Sequence, residues 1–204
     1  MMGRRHSKRM SIFRWTAPLF KVWGRRWREE DFRHIAGWLR PYVPDEGGVL
    51  ADLGGGTGEL GAGVAHELAA RAIIIDPTPQ MLSRVDARPW VSVHLAPAEA
   101  MRFPNGYFDA IICCDAFHHF ADQSAAAHEI ARVVRPGGGV VVLDMYPTGS
   151  GRFWAALERL LGEPAGFKTA VALACLLANH GIIGVCRHER GSGYSFVGAV
   201  RPFA

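Results

Sequence analysis

The sequence has few cysteines and sets none of them in a pattern. Cys113, Cys114, Cys175 and Cys186 are the four in 204 residues, with no CxxC pair and no histidine at ligand spacing. A disulfide framework and a metal site are therefore not expected, and the thiols read as reduced core residues of a cytoplasmic protein. No apolar run reaches the roughly 18 residues that span a bilayer, and the N-terminus lacks the continuous apolar centre of a secretory leader, so a soluble or membrane-peripheral protein is expected. Internal repeats and low-complexity stretches are missing. Acidic residues are scarce at the start: residues 1–40 hold 3 Asp/Glu against 11 Lys/Arg, and residues 41–204 hold 16 against 12, so the first segment is +8 and the remainder −4.

What is present is enough for one globular domain, since 49% of the chain is hydrophobic and 21% charged. An N-terminal appendage, residues 1–44, stands apart from residues 45–204. In it Ile12, Trp15, Leu19, Trp23 and Trp27 recur at helical spacing among Arg14, Lys21, Arg25, Arg26 and Arg28, with Pro18 and Gly24 interrupting the run. A second helix is expected over about Glu30–Leu39, ended by Pro41 and Pro44. After residue 47, apolar runs at Val49–Leu53, Ala72–Ile75, Val91–Leu95, Phe108–Cys114 and Val140–Leu143 alternate with helical stretches at about Gly58–Ala69, Pro79–Asp86 and Ser124–Val134. That alternation predicts an α/β fold with a mostly parallel sheet. Two more helices, Arg152–Leu161 and Lys168–Asn179, precede a hairpin of Ile183–His188 and Tyr194–Arg201.

The chemistry gathers where the first strand runs into Asp52-Leu-Gly-Gly-Gly-Thr-Gly58. Glycines at 54, 55, 56 and 58 allow positive φ and a close approach of backbone to a ligand. Gly56-Thr-Gly58-Glu-Leu-Gly61, with Asp76 at the spacing of a ribose-binding acid, also satisfies a dinucleotide motif, so the glycines alone do not choose between cofactors. The acids at strand ends do more: Asp52, Asp76, Glu99 and Asp115 all fall on the carboxyl edge of a parallel sheet, where ligands bind. Asp76 suits the two hydroxyls of a ribose, with a helix cap as the plain alternative. Asp52 suits a cationic end of the ligand or a turn, and Met81 suits an adenine face or the core. Glu99 reads as a ligand or a solvated acid, and Asp115 as a ligand or a buried structural acid.

These residues, with Ile75-Asp-Pro-Thr-Pro-Gln-Met-Leu82, Ala98-Glu-Ala-Met-Arg-Phe-Pro-Asn-Gly-Tyr-Phe-Asp-Ala110, His118-His119 and Glu129-Ile-Ala-Arg-Val-Val-Arg-Pro-Gly-Gly138, make the chain resemble class I S-adenosylmethionine-dependent methyltransferases. The group it resembles holds the ubiquinone/menaquinone-biosynthesis and phosphatidylethanolamine N-methyltransferases. The resemblance runs from about residue 47 to the C-terminus. It implies a Rossmann-like seven-stranded sheet whose last strand is antiparallel, and S-adenosyl-L-methionine as cofactor. It places the methionine end against Asp52, Gly54 and Gly56, the ribose against Asp76, and the adenine beside Ala98 and Glu99; Gly58, Met81 and Asp115 complete the candidate cofactor set. Two departures stand out: Ala96-Pro97-Ala98-Glu99 replaces a Gly-Asp-Ala-Glu run, and Ala17-Pro18-Leu19-Phe20-Lys21 replaces an Ala-Pro-x-Tyr-Asp run.

Methyl transfer from a sulfonium needs alignment and, for a phenol or ammonium acceptor, removal of a proton. His118 and His119, just past the fourth strand, are the candidate bases, with packing as the alternative. The basic, tryptophan-rich start of the chain fits either an interfacial helix on anionic lipid or a cap over the site; no nucleic-acid motif accompanies it. The expected acceptor is a small, lipid-like molecule, a quinone-type ring or a phospholipid amine. A soluble acceptor, a silent adenosyl-binding protein and a nicotinamide oxidoreductase are the competing readings.

Overall fold

The computed structural model describes residues 27–145, 156, 166–189 and 193–202. The basic segment before Trp27, all but residue 156 of the expected helix Arg152–Leu161 and the tip of the hairpin lie outside the described residues.

Helix α1 (Glu29–Leu39) begins where expected because Glu29, Glu30 and Asp31 sit at its positive end, and the Asp31 carboxylate accepts the Arg28 backbone N–H at 2.9 Å. Its apolar residues Ile35, Ala36 and Leu39 are buried. Strands β1 (Val49–Leu53), β2 (Arg71–Asp76), β3 (Val91–Leu95), β4 (Phe108–Cys114) and β5 (Val134–Met145) alternate with α2 (Glu59–Glu67), α3 (Pro79–Leu82) and α4 (Gln123–Val133). Helix α5 (Ala170–Asn179) leads into β6 (Ile182–His188) and β7 (Gly193–Val200). The sheet has seven strands in the order β3-β2-β1-β4-β5-β7-β6. β7 runs antiparallel to both β5 and β6, and the other pairings are parallel. The Rossmann-like sheet with its C-terminal hairpin is thus as the sequence predicts.

The central strands β1, β4 and β5 read as nearly continuous apolar runs because both their faces are covered, whereas the edge strands β3 and β6 leave Val93, Leu95, Ile183 and Val185 exposed. Along β4, Ile111 and Cys113 enter a core shared with Ile130 and Val133 of α4 and Leu173 and Leu177 of α5. Ala110 and Ile112 enter the opposite core, with Leu39 of α1 and Leu60, Val64 and Ala65 of α2. The topological reversal between β1 and β4 opens the crevice at the carboxyl edge.

Two of the described elements differ from the sequence expectation by more than two residues. α3 stops at Leu82 rather than near Asp86, because the chain leaves it through tighter i→i+3 bonds, Arg84 N–H to Met81 O and Val85 N–H to Leu82 O. β5 starts at Val134, six residues early. Arg135 holds that early stretch in place by donating to the Asp109 carboxylate at 2.8 Å and to Tyr42 O at 2.6 Å, an attachment that apolar periodicity does not report.

One ionic tie fastens the long loop after β3 to α4. Glu129 is buried and accepts the Met101 N–H at 2.9 Å, while Arg132 meets both its oxygens at 2.7 and 2.8 Å. Arg132 also donates to Phe103 O and Asn105 Oδ1, each at 2.8 Å. The bonds from Arg132, ahead of the cost of burial, hold the Glu129 carboxyl below its usual range. A lowered carboxyl adds stability above its unfolded value and loses it as pH falls through the folded one. Glu129→Ala should therefore cost about 2–4 kcal/mol of unfolding free energy at neutral pH. In urea titrations the gap to wild type should close below about pH 4, and a gap that stays constant there would discount the tie.

Candidate functional site

The site is assembled by the turn between β1 and α2. Gly54, Gly56 and Gly58 all have left-handed backbones, at φ 71°, 55° and 75°, which a side chain would strain. Gly54 donates its N–H to Ile75 O at 2.7 Å, drawing the turn onto the end of β2. A Cβ on Gly54 would fall 2.5 Å from the Ala116 Cβ, so the turn also touches the segment leaving β4. Gly58 caps α2 against Ile74 and Val85. At Gly56 an added Cβ would meet the Met81 methyl at 3.7 Å and nothing closer among the described residues. This is the cradle of the turn, and the buried Met81 forms its wall.

Two buried carboxyls stand behind it. Asp52 accepts the Gly61 N–H at 2.9 Å and is walled in by Gly55 and Gly61, where a Cβ would come within 2.5 Å of it. Burial pushes its carboxyl up to about 7, against the pull of the Gly61 bond and with a further push from Asp76. Asp76 closes β2 and accepts Thr78 N–H at 2.7 Å and Gly56 N–H at 3.1 Å. Burial raises it too, with the Thr78 and Gly56 bonds opposing. Thr78, not Asp76, holds the cap position of α3. Each acid already braces the turn; Asp76 also takes a bond from the Thr78 side chain, and each carboxylate still has acceptor capacity left over.

The remaining acids diverge. Asp115 follows β4 in a left-handed backbone, φ 48°, donates its N–H to Leu143 O at 3.0 Å and is exposed, so it is not the buried structural acid considered above. Ala98 is buried, whereas half-buried Glu99 accepts the Asp122 N–H at 3.1 Å and so faces the start of α4.

Past β4 the chain makes a single 3-10 turn, Phe117–His119. His118 is buried, and its Nδ1 lies 2.7 Å from Oδ1 of Asp144, with both side chains only 2% exposed. The ring stacks on Phe167 at 4.0 Å and 15° and meets His119 at 4.0 Å. His119 is half-buried. Gly166 donates to His118 O at 2.8 Å, and Gln123 bonds both Phe117 O and Gly166 O, which fastens residues 166–167 over the turn. Asp144 is absent from the residues singled out in the sequence, because the expected strand stopped at Leu143. The rule that found Asp52, Asp76 and Asp115, an acid ending an apolar strand, applies equally to Asp144.

Residues 51–142 match the family model described as a methyltransferase domain. The demethylmenaquinone methyltransferase of Thermus thermophilus is 39% identical over 112 residues, 51% of this chain and 50% of the relative. A ubiquinone/menaquinone biosynthesis C-methyltransferase of Chromobacterium violaceum is 32% identical over 140 residues, 65% of this chain and 55% of the relative. The chain thus spans about half the length of the curated relatives it matches. Among solved structures, one titled as the [4+2]-cyclase SpnF has the same fold, with a TM-score of 0.73, 16% identity and coverage of 95% and 96%.

Asp52 gives the site a pH signature. Because its folded carboxyl is raised to about 7, the folded state holds the proton more tightly than the unfolded one between about pH 4 and 7. Its contribution to stability is present at the acid end and declines with rising pH by at most about 1.4 kcal/mol per unit. Asp52→Asn keeps an acceptor for Gly61 and has nothing to ionise. In urea titrations the variant should gain on wild type as pH rises over that window and level off above it; parallel curves would remove Asp52 from its buried place.

Proposed function

We propose that this chain, whose class I methyltransferase domain resembles those of ubiquinone/menaquinone biosynthesis, transfers a methyl group from S-adenosyl-L-methionine to a quinone-type ring. One observation carries the reading: the matched region, residues 51–142, contains the glycine turn, the two buried acids and the histidine turn that the Gly54–Ala116 contact brings together.

The residues present fit the cofactor. The cradle at Gly56 gives backbone and the Met81 methyl to a flat base or sugar, and Asp76 offers remaining acceptor directions to ribose hydroxyls. Asp52, raised by burial, would be drawn back to its ionised form by a cationic neighbour such as an ammonium or sulfonium. Bound there, S-adenosyl-L-methionine supplies a methyl group on a sulfonium whose sulfide leaves without charge. The protein then has to align an acceptor carbon with that methyl and take up the phenolic proton as the ring becomes nucleophilic. The Phe120 ring edge reaches to within 3.8 Å of where a Gly54 Cβ would lie, and Phe167 stacks on His118. These aromatic faces suit a planar acceptor. The fold by itself does not select this chemistry, as the cyclase shows. The basic tryptophan-rich start of the chain favours an acceptor presented at an anionic membrane surface.

Labelled S-adenosyl-L-methionine incubated with the protein and a chemically reduced lipid extract should place label in the quinone fraction. Label found only in water-soluble products would replace the acceptor class, and absence of calorimetric binding would end the cofactor reading. Asp76→Ala should weaken S-adenosylhomocysteine binding by about 1.5–3 kcal/mol, because it removes a charged acceptor from the ribose and a brace from Gly56. Unchanged affinity would take the ribose away from Asp76.

A further inference from the structure

We propose that Asp144 is a positioning residue that holds His118 as the neutral tautomer protonated on Nδ1, leaving Nε2 as the atom that accepts the acceptor's proton and making His118, rather than His119, the base. The inference rests on the methyl-transfer reading and goes beyond it by naming the base, its working nitrogen and a partner on another strand.

The geometry sets the tautomer. An ionised carboxylate only accepts, so the proton in the 2.7 Å contact belongs to Nδ1 of His118, and the neutral ring must then carry its lone pair on Nε2. The carboxylate is itself oriented, since Asp144 Oδ1 also accepts the Met145 N–H at 2.8 Å. Asp144 sits near the end of β5, one residue past the last pair with β4 (Cys114 with Leu143) and opposite Tyr194 of β7, so its backbone is held by the sheet. The imidazole has little freedom to turn, with Phe167 stacked on it and the His118 carbonyl held by Gly166. His119 shares the turn but is half-buried, and its ring meets that of His118 at a tilt of 48°. Among the described residues, the titratable groups around the pair include His119 on the same turn, Cys113 on β4, Asp115 after it, Asp52 on β1, Tyr194 on β7, whose hydroxyl donates to Lys168 O, and Lys168 itself, next to Phe167.

In the proposed step the phenolic O–H of a reduced quinone gives its proton to Nε2. The ring carbon forms a bond to the methyl as the methyl–sulfur bond breaks; the ring carbon's own proton then passes through solvent to the ring carbonyl oxygen, which restores the aromatic phenol, and the proton held on Nε2 is the one released to solvent. One methyl and one net proton are accounted for, and no oxidant is required. The imidazolium that forms is matched by the Asp144 carboxylate at Nδ1.

The test uses the full chain labelled with nitrogen-15 in histidine. Nitrogen shifts assigned through His118→Gln should show His118 as a single Nδ1-protonated tautomer in wild type, and Asp144→Asn, nearly isosteric, should abolish that signature. With S-adenosyl-L-methionine and a prenylated 1,4-naphthoquinol as probe, Asp144→Asn should lower kcat about 10²–10⁴-fold while cofactor affinity stays within about twofold. The double variant with His118→Gln should be no slower than His118→Gln alone, as expected of residues acting as one unit. An Nε2-protonated His118 in wild type overturns the proposal, as does an Asp144→Asn enzyme that loses thermal stability but keeps kcat. A wild type that binds cofactor and methylates nothing instead overturns the methyl-transfer reading, and that outcome is visible separately from the tautomer.

Discussion

Gly54 approaches Ala116 so closely that no side chain fits between them. Through that approach the turn after β1, which would bind one reactant, is fixed against the turn after β4, which would act on the other. The two turns belong to strands that are neighbours in space across the switch point but lie some sixty residues apart in sequence. Their mutual position therefore depends on the parallel pairing of β1 with β4 and on glycine at position 54. The bond from Gly54 to Ile75 brings the end of β2 into the same unit. Asp52, Asp76 and His118 then take their places as consequences of backbone geometry.

Two acids buried beside one another work against the stability of the free protein. Burial raises both carboxyls, and the charge of Asp76 raises Asp52 further. The backbone N–H groups of Gly61, Gly56 and Thr78 offset only part of that cost. A ligand that brings a positive charge to Asp52 and hydroxyls to Asp76 relieves the remainder, so part of its affinity comes from strain already present in the site. Glu129 and Arg132 show the opposite arrangement: a carboxyl with its cation beside it, placed away from the crevice and serving the loop after β3.

Most of the fold was legible because the strands form short runs rich in β-branched and other apolar residues and the turns between them carry glycine and proline. Val49–Leu53, Val91–Leu95 and Phe108–Cys114 have the bounds that the composition of those runs predicts. The early start of β5 was not legible, since Arg135 is held by a carboxylate on β4 and a carbonyl after α1, contacts made only in three dimensions. In the site, the glycine turn and Asp76 stand at the crevice, whereas Glu99 has turned to the start of α4 and Asp115 is exposed. An acid at a strand end fixes an edge of the sheet, while the direction of its carboxylate is decided by which backbone N–H lies within reach. Asp144 was passed over because the expected strand ended one residue short of it, although it too is an acid ending an apolar strand.

The pairing of Asp144 with His118 bears on how one fold serves different reactions. In the proposed reading the glycine turn and the strand-end acids would hold the cofactor and are silent about the acceptor, and a protein of the same fold is described as a cyclase. The acceptor chemistry has to come from what stands opposite the turn, and here that is an imidazole with a carboxylate behind it and aromatic rings beside it. A carboxylate fixed to Nδ1 increases the basicity of the other ring nitrogen and stabilises the charge that proton uptake creates. Such assistance is most useful for an acceptor that must lose a proton to become nucleophilic, as a hydroquinone must, and is dispensable for an amine that already carries a lone pair. The His118–Asp144 pair thus argues for an acceptor that must lose a proton, such as a phenolic ring, over an amine that is already neutral, independently of the quinone methyltransferases that the chain resembles.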